Sequence, residues 1–244
     1  MTDDLEILLE SVNDVGLQRV VGIVPAMQPE MDFNLWEQTR EETIKLVQRL
    51  FISTGEAVTQ VVVFSAVERG SGCTWVCART AGMMADHVDG PVCVVDANFR
   101  SPGLRRYFEV EDPEKASSQW LPAPRPVSEK SVNRGNLCLL SYSPADRDWQ
   151  TPSSLDQFQE RISKLRKHFT HILIDAPPIN AYADAVLFGS RIADGVVMVV
   201  EANKTRREAV QRAKGILDAD GVRLLGVVLN KRTFPIPDRL YRRL

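Results

Sequence analysis

The stretch VVVFSAVERGSGCTWVCARTA, Val61 to Ala81, reads as an apolar strand that runs into a loop holding Gly70, Ser71 and Gly72 and then into a helix. Its first residues are mostly β-branched, as suits a strand buried on both faces. Small residues at the turn let backbone N–H groups curl around phosphate oxygens, and the next helix presents the positive end of its dipole to them. The stretch is therefore read as a phosphate-binding loop. Such a loop normally continues with Lys, which reaches the outer phosphates, and then with Ser or Thr, whose hydroxyl binds magnesium. Here Cys73 stands at the lysine position and Thr74 at the hydroxyl position.

The rest of the chain bounds what that loop can belong to. With 244 residues, 44% hydrophobic and 25% charged, the composition is that of an ordinary globular protein with one substantial core. A formal net charge of −2 argues against a nucleic-acid partner held by bulk positive charge. Apolar runs such as GVVMVV at 195–200 fall far short of the roughly 20 residues that span a bilayer. The start, MTDDLEILLE, is acidic rather than basic, unlike a secretory leader, so a cytoplasmic protein is expected. Cys73, Cys77, Cys93 and Cys138 show no metal-like spacing and are expected to be reduced, partly buried thiols.

In chain order, residues 1–33 read as a peripheral N-terminal arm, with Pro and Gly punctuating the Val-rich LQRVVGIVPAM. NLWEQTREETIKLVQRLF, 34–51, has helical spacing and Asn34 as an expected N-cap; such a helix either packs on its own domain or contacts another subunit. QVVVFS and GPVCVVD flank the helix that follows the loop, which makes a strand-helix-strand unit and implies a parallel sheet. Residues 101–135 shift to Pro, Ser, Glu and Arg, a long connection of the kind that forms lids or mobile segments. NLCLLSYS, THILIDAPPI, DGVVMVVEA and VRLLGVVLNKR supply further strands, with helices at SSLDQFQERISKLRKHF and TRREAVQRAKGILDADG. The expected class is α/β, a mostly parallel central sheet flanked by helices over residues 34–232, followed by a basic C-terminal tail, 233–244.

Ligands of such sheets sit at the carboxyl ends of the strands. Gly70 to Thr74 and Asp96 to Arg100 both fall there, and Asp175 ends a third apolar strand well downstream, as a Walker B carboxylate does. One acid at a strand end is commonly just solvated. Two at the edge that carries a phosphate loop point to a shared site.

On these residues the chain resembles the cytoplasmic domain of bacterial tyrosine kinases and their polysaccharide co-polymerase relatives, within the ParA/MinD-like class of P-loop NTPases. The likeness rests on VVDANFRSP at 94–102, similar to the Asp-x-Asp-x-Arg strand end called Walker A′, and on ILIDAPP at 172–178. ADGVVMVVEANKTRREAV and GVVLNKR also follow the family pattern, so the resemblance runs from about Trp36 to Arg232. It implies that ATP or ADP is held by Gly70, Ser71, Gly72, Cys73, Thr74 and Trp75, with Asn230 and Arg232 near the base. It further implies Mg²⁺ at Thr74, Asp96 and Asp175, and Asp96 and Arg100 as the catalytic groups of an active member. Glu37 and Arg40 match the first two positions of an oligomerisation motif, Glu-x-x-Arg-x-x-Arg, whose third position is Thr43 here. The implied partner is the cytoplasmic segment of a membrane protein of the chain-length-determinant type, which would hold the chain at the inner face of the membrane; a homo-oligomer is also implied.

The departures from that pattern converge. Cys73 replaces the lysine, Asn98 replaces the second acid of Walker A′, Glu68 occupies the place of the ParA/MinD signature lysine, and the tail carries only Tyr241 where family kinases carry a tyrosine-rich run. A unit charge about 4 Å from a phosphate oxygen at an effective dielectric near 20 is worth on the order of 4 kcal/mol. If all of it appeared in the transition state, its loss would slow transfer by roughly three powers of ten. Asn98 keeps the shape of an acid but takes no proton, and Arg69 or Arg100 would have to point inward to restore the charge. The expectation is a weakened or inactive kinase relative acting in exopolysaccharide synthesis or export, with weak or absent nucleotide binding. The alternative is an active tyrosine kinase or ATPase with an atypical site, and a ParA/MinD-like positioning switch is a third reading.

Overall fold

The structure is a computed structural model that describes residues 20–25, 33–52, 60–108, 137–141 and 152–232. Seven strands form one sheet: β1 (Val20–Pro25), β2 (Val61–Ala66), β3 (Val92–Asp96), β4 (Leu137–Ser141), β5 (His171–Ala176), β6 (Gly195–Glu201) and β7 (Leu224–Arg232). Their order across the sheet is β1-β7-β6-β2-β5-β3-β4, and every neighbouring pair is parallel. The α/β class with a parallel central sheet is therefore as expected. β2 and β3 are consecutive in the chain but are not neighbours, because β5 lies between them. The crossover from β2 to β3 thus leaves room for a later strand, and that strand brings Asp175 between the loop and Asp96.

Alternation along the strands fixes which helix covers which face. Val61 and Val63 of β2 join Ile172, Ile174, Val196 and Met198 on one face. There they meet α4 (Pro152–Leu165), through Leu155, Phe158, Ile162 and Leu165, together with α5 (Asp184–Arg191) and α6 (Arg207–Ala219). Val62 and Phe64 belong to the opposite face with Val94, Leu173 and Val197, covered by α1 (Phe33–Val47) and α2 (Cys73–His87). The short helix α3 (Leu104–Tyr107) packs at the edge of that layer, with Leu104 fully buried. A sheet covered on both faces explains why its central strands are runs of apolar residues rather than alternating ones.

The amino-terminal ends of the strands are tied by Asp194. Its carboxylate accepts from the backbone N–H of Gln60 (2.8 Å) and Val61 (2.7 Å) on one oxygen and from Arg166 (3.2 Å) on the other. This anchors β2 in depth and so fixes where the loop at its far end emerges.

Several elements differ from the sequence expectations. Val20–Pro25, within the stretch read as a peripheral arm, pairs with β7 as an edge strand. Helix α1 begins at Phe33, so Asn34 lies inside its first turn rather than before it, and the helix passes into a π-helical turn, Gln48–Ile52. α5 and the one-turn α3 have no counterpart in the sequence reading; both are too short for helical periodicity to show. α1 packs on its own domain: Thr39 and Thr43 are buried, and the Thr43 hydroxyl donates to the Thr39 carbonyl (2.9 Å) and accepts from Arg79 of α2 (3.1 Å). Arg40 of the same helix is exposed. The side chain of Glu37, the connection from 109 to 136 and the tail 233–244 with Tyr241 lie outside the described residues.

Candidate functional site

The loop between β2 and α2 has the shape that its glycines permit. Gly70 and Gly72 sit at φ +86° and +79°, in the left-handed region where an L side chain is strained. Gly72 is the N-cap of α2, and no side chain caps the N-terminal amides of that helix. First-turn amides left in this state are those an anion engages. The Ser71 hydroxyl donates to the Glu68 carbonyl (2.9 Å) and closes the loop from within.

β7 supports the loop from outside. Asn230, expected beside a nucleotide base, is buried, and its amide donates to the Ser71 carbonyl at 2.7 Å. A Cβ on Gly72 would come to 2.4 Å from that same Asn230 nitrogen, so a glycine is needed there for space as well as for φ. The next residue, Lys231, donates from Nζ to the Gly70 carbonyl and pairs with Glu201 of β6 at 3.3 Å.

Below α2 lie the two acids. Asp96 and Asp175 are register partners of β3 and β5 and share parity with Val94 and Leu173, so both face the α2 side of the sheet. Both are buried. One oxygen of Asp96 accepts from the backbone N–H of Gly103 and of Leu104, each at 3.1 Å, and so anchors the start of α3. Asp175 is fully enclosed, and neither of its oxygens receives a well-formed hydrogen bond. Burial, and next the negative charge of Asp96, push its pKa up to about 8. The Thr74 hydroxyl and the Cys73 thiol offset part of that rise, without good hydrogen-bond alignment.

Cys73, where the sequence pattern leads one to expect a lysine, is buried over this pair. Its thiol is pushed well above the ordinary range, first by burial and then by the charge of Asp175. Cys77, one turn on, is raised in the same way by burial and by both acids. Two neutral thiols therefore lie over the two acids, and neither thiol brings a positive charge to them.

Among the described residues no group of three or more His, Cys, Asp and Glu side chains forms a metal-holding cluster. The oxygen donors Asp175, Asp96 and Thr74 nevertheless fit a hard cation that keeps several waters, and the orphaned, enclosed Asp175 carboxylate is what such an ion would satisfy. The thiols are too soft for that ion and are held protonated.

The two arginines expected to supply a compensating charge are engaged with Asp184 and Tyr182. Arg100 pairs with the buried Asp184 at 2.8 Å and stacks 4.1 Å from the centre of the Tyr182 ring. Arg69 bonds the Tyr182 hydroxyl and lies 5.4 Å from the same ring centre. Trp75 packs under Arg79 (5.3 Å), facing the α1 side, and Arg232 ends β7. Sequence reasoning missed Tyr182, Asp184, Glu201 and Lys231. Lys231 alone carried a signal, as the residue after Asn230 in LNKR; the others sit in a loop, at a helix start and at a strand end, where only the fold supplies their partners.

The fold, with a glycine loop at the strand ends, is that of the parallel-sheet P-loop type. The chain's homologues are bacterial tyrosine-protein kinases. Tyrosine-protein kinase YwqD of Bacillus subtilis is 28% identical over 183 residues, 74% of this chain and 75% of that protein. Tyrosine-protein kinase CpsD of Streptococcus agalactiae is 25% identical over 175 residues, 70% and 75% of the two chains. CapB of Staphylococcus aureus is 30% identical over 139 residues, 57% of this chain and 60% of CapB, so that match takes in less than two thirds of its relative. Among solved structures, the chimerical protein CapA2B2 superposes with a TM-score of 0.73 at 22% identity, covering 92% of this chain and 99% of that one. A plasmid partition protein from Borrelia burgdorferi bound to AMPPNP gives 0.54 at 14% identity, covering 76% and 80%. No family model matches the chain. Among the described residues no helix is long and apolar enough to cross a membrane.

Proposed function

We propose that the chain is a nucleotide-binding relative of the bacterial tyrosine kinases in which phosphoryl transfer is weakened or lost, and which regulates polysaccharide chain length or export through a membrane partner. The observation that carries this reading is the Cys73 thiol, buried and neutral over the enclosed Asp175 at the position of the P-loop lysine. Loop shape, uncapped helix start and paired acids retain the means to hold a polyphosphate. The charge that would stabilise its transfer is missing, and Arg69 and Arg100 are occupied at Tyr182 and Asp184.

When bound, Mg²⁺ would neutralise phosphate charge, and Thr74, Asp175 and the second oxygen of Asp96 would hold it. Gly70, Ser71, Gly72, Cys73, Thr74 and Trp75 would offer backbone amides to ATP or ADP. With Asn230 committed to the Ser71 carbonyl, the role proposed for it toward a base falls to its carbonyl oxygen and that of Arg232 to the strand end beside it. Exposed Arg40, and Glu37, are the residues proposed for contact between copies. The partner proposed is the cytoplasmic segment of a chain-length-determinant membrane protein, which would place the chain at the inner face of the membrane without a nucleic-acid role.

The alternative, an active tyrosine kinase or ATPase, is favoured by one observation: Asp96 and Asp175 remain side by side at the strand ends. Titration with Mg·ATP, followed by mass spectrometry of the incubated chain, separates the two. Binding weaker than tens of micromolar and an unmodified Tyr241 are expected; tight binding with turnover, or stoichiometric phosphate on Tyr241, would establish the alternative.

A further inference from the structure

Two consecutive carbonyls of the loop are pinned by two consecutive side chains of β7. Gly70 O receives Lys231 Nζ, and Ser71 O receives Asn230 Nδ2. In a planar trans peptide the C=O and N–H point in opposite directions. Holding the Gly70 carbonyl toward β7 therefore turns the N–H of Ser71 away from β7, and holding the Ser71 carbonyl does the same for the N–H of Gly72. These are amides that a phosphate-binding loop must direct inward. An ammonium on the carbonyl also polarises the peptide and makes its N–H a stronger donor.

Lys231 reaches this place through an uncommon backbone. Its φ is +57°, a left-handed conformation that a side chain longer than glycine seldom adopts. Glycine would fit that conformation more easily, yet the chain places a lysine there, with its stem against the site of the Gly72 Cβ and its ammonium between Gly70 O and Glu201. Glu201 is itself held by Lys204 at 3.2 Å and by its backbone N–H donating to the Thr205 hydroxyl at 3.2 Å, so the anchor is fixed. An outlier kept against an easier residue marks a constraint imposed by the site.

We propose that Lys231 is a positioning residue for the phosphate loop: from β7 it aims the Ser71 and Gly72 amides and brings to the loop rim the positive charge that position 73 lacks. The consequence for anion binding rests on the nucleotide-binding reading above, whereas the consequence for the loop does not.

The test uses the full chain with Lys231→Met, Lys231→Gly and Lys231→Arg. Without nucleotide, amide exchange at Ser71 and Gly72 should speed up by about tenfold in Lys231→Met and Lys231→Gly and stay near wild type in Lys231→Arg. Lys231→Gly relieves the backbone strain and should melt no lower than wild type, which separates loop positioning from general loss of stability. With ADP as probe, Lys231→Met and Lys231→Gly should bind about tenfold more weakly than wild type, with Lys231→Arg restoring most of the affinity. Unchanged exchange at both amides overturns the proposal whatever the nucleotide result. If wild type binds no ADP while exchange behaves as expected, the nucleotide reading fails and loop positioning stands. If wild type binds ADP and Lys231→Gly binds it equally well, the inference fails and the nucleotide reading stands.

Discussion

Asp96 and Asp175 leave adjacent parallel strands as register partners, on the same face and buried side by side beneath α2. Two carboxylates so placed disfavour each other's charge, and the more enclosed one, Asp175, yields, with its pKa at about 8. Folding raises that pKa from the usual 3.8, so the native state binds the proton more tightly than the unfolded chain does. The stability contributed by this group is therefore full below about pH 4 and declines as pH rises toward 8.

Asp175→Asn should accordingly stabilise the nucleotide-free protein at pH 8 by several kcal/mol, since each pKa unit of the shift is worth about 1.4 kcal/mol, and change it little at pH 4. Denaturation by urea at the two pH values checks this. Equal effects at both would show that Asp175 does not titrate within the site. The same variant should abolish any Mg²⁺ dependence of nucleotide binding.

Cys73→Lys should tighten Mg·ATP binding by about tenfold or more, since an ammonium there meets both phosphate and Asp175. Calorimetric titration of the two proteins measures it. Affinity unchanged by the lysine would mean that the loss of charge at position 73 is not what limits binding.

Gly72→Ala should destabilise by about 2 kcal/mol or more, from a positive φ and from a Cβ 2.4 Å from the Asn230 nitrogen. Asn230→Ala alone should cost about 1–2 kcal/mol by leaving the buried Ser71 carbonyl without its donor. If the clash is as described, the double variant costs less than the sum of the two, and a double-mutant cycle in chemical denaturation reads that coupling.

Arg100→Ala should lower stability by about 1–2 kcal/mol, because it leaves the enclosed Asp184 carboxylate unpaired. Burial already raises the Asp184 pKa, and Arg100 offsets that rise, so the loss should be larger at pH 8 than at pH 4. Nucleotide affinity, measured alongside, should move less than about threefold if the guanidinium stays on Asp184 and Tyr182.

Much of this was legible in the chain itself. The β-branched runs at Val61, Val92, His171, Gly195 and Leu224 fall within strands, and Gly70, Gly72, Asp96 and Asp175 fall at one edge, because strands buried on both faces and positive-φ turns constrain composition locally. β1 was hidden, since an edge strand needs little burial and the two short helices need little periodicity. Asn230 was identified as a site residue, but its bond to the Ser71 carbonyl spans 159 positions, a partnership that no local pattern encodes.

The sequence by itself determined the class of fold, the gathering of Gly70, Gly72, Asp96 and Asp175 at one strand edge, and the presence of Cys73 directly before Thr74. These depend on residue type, spacing and chain direction. The tertiary structure alone decided that β5 enters between β2 and β3, which sets Asp175 against Asp96 and raises its pKa. It also decided that Arg69 and Arg100 turn to Tyr182 and that Lys231 turns to Gly70. The direction of a long charged side chain is fixed by the partners that packing brings within reach, and those partners come from segments distant in sequence.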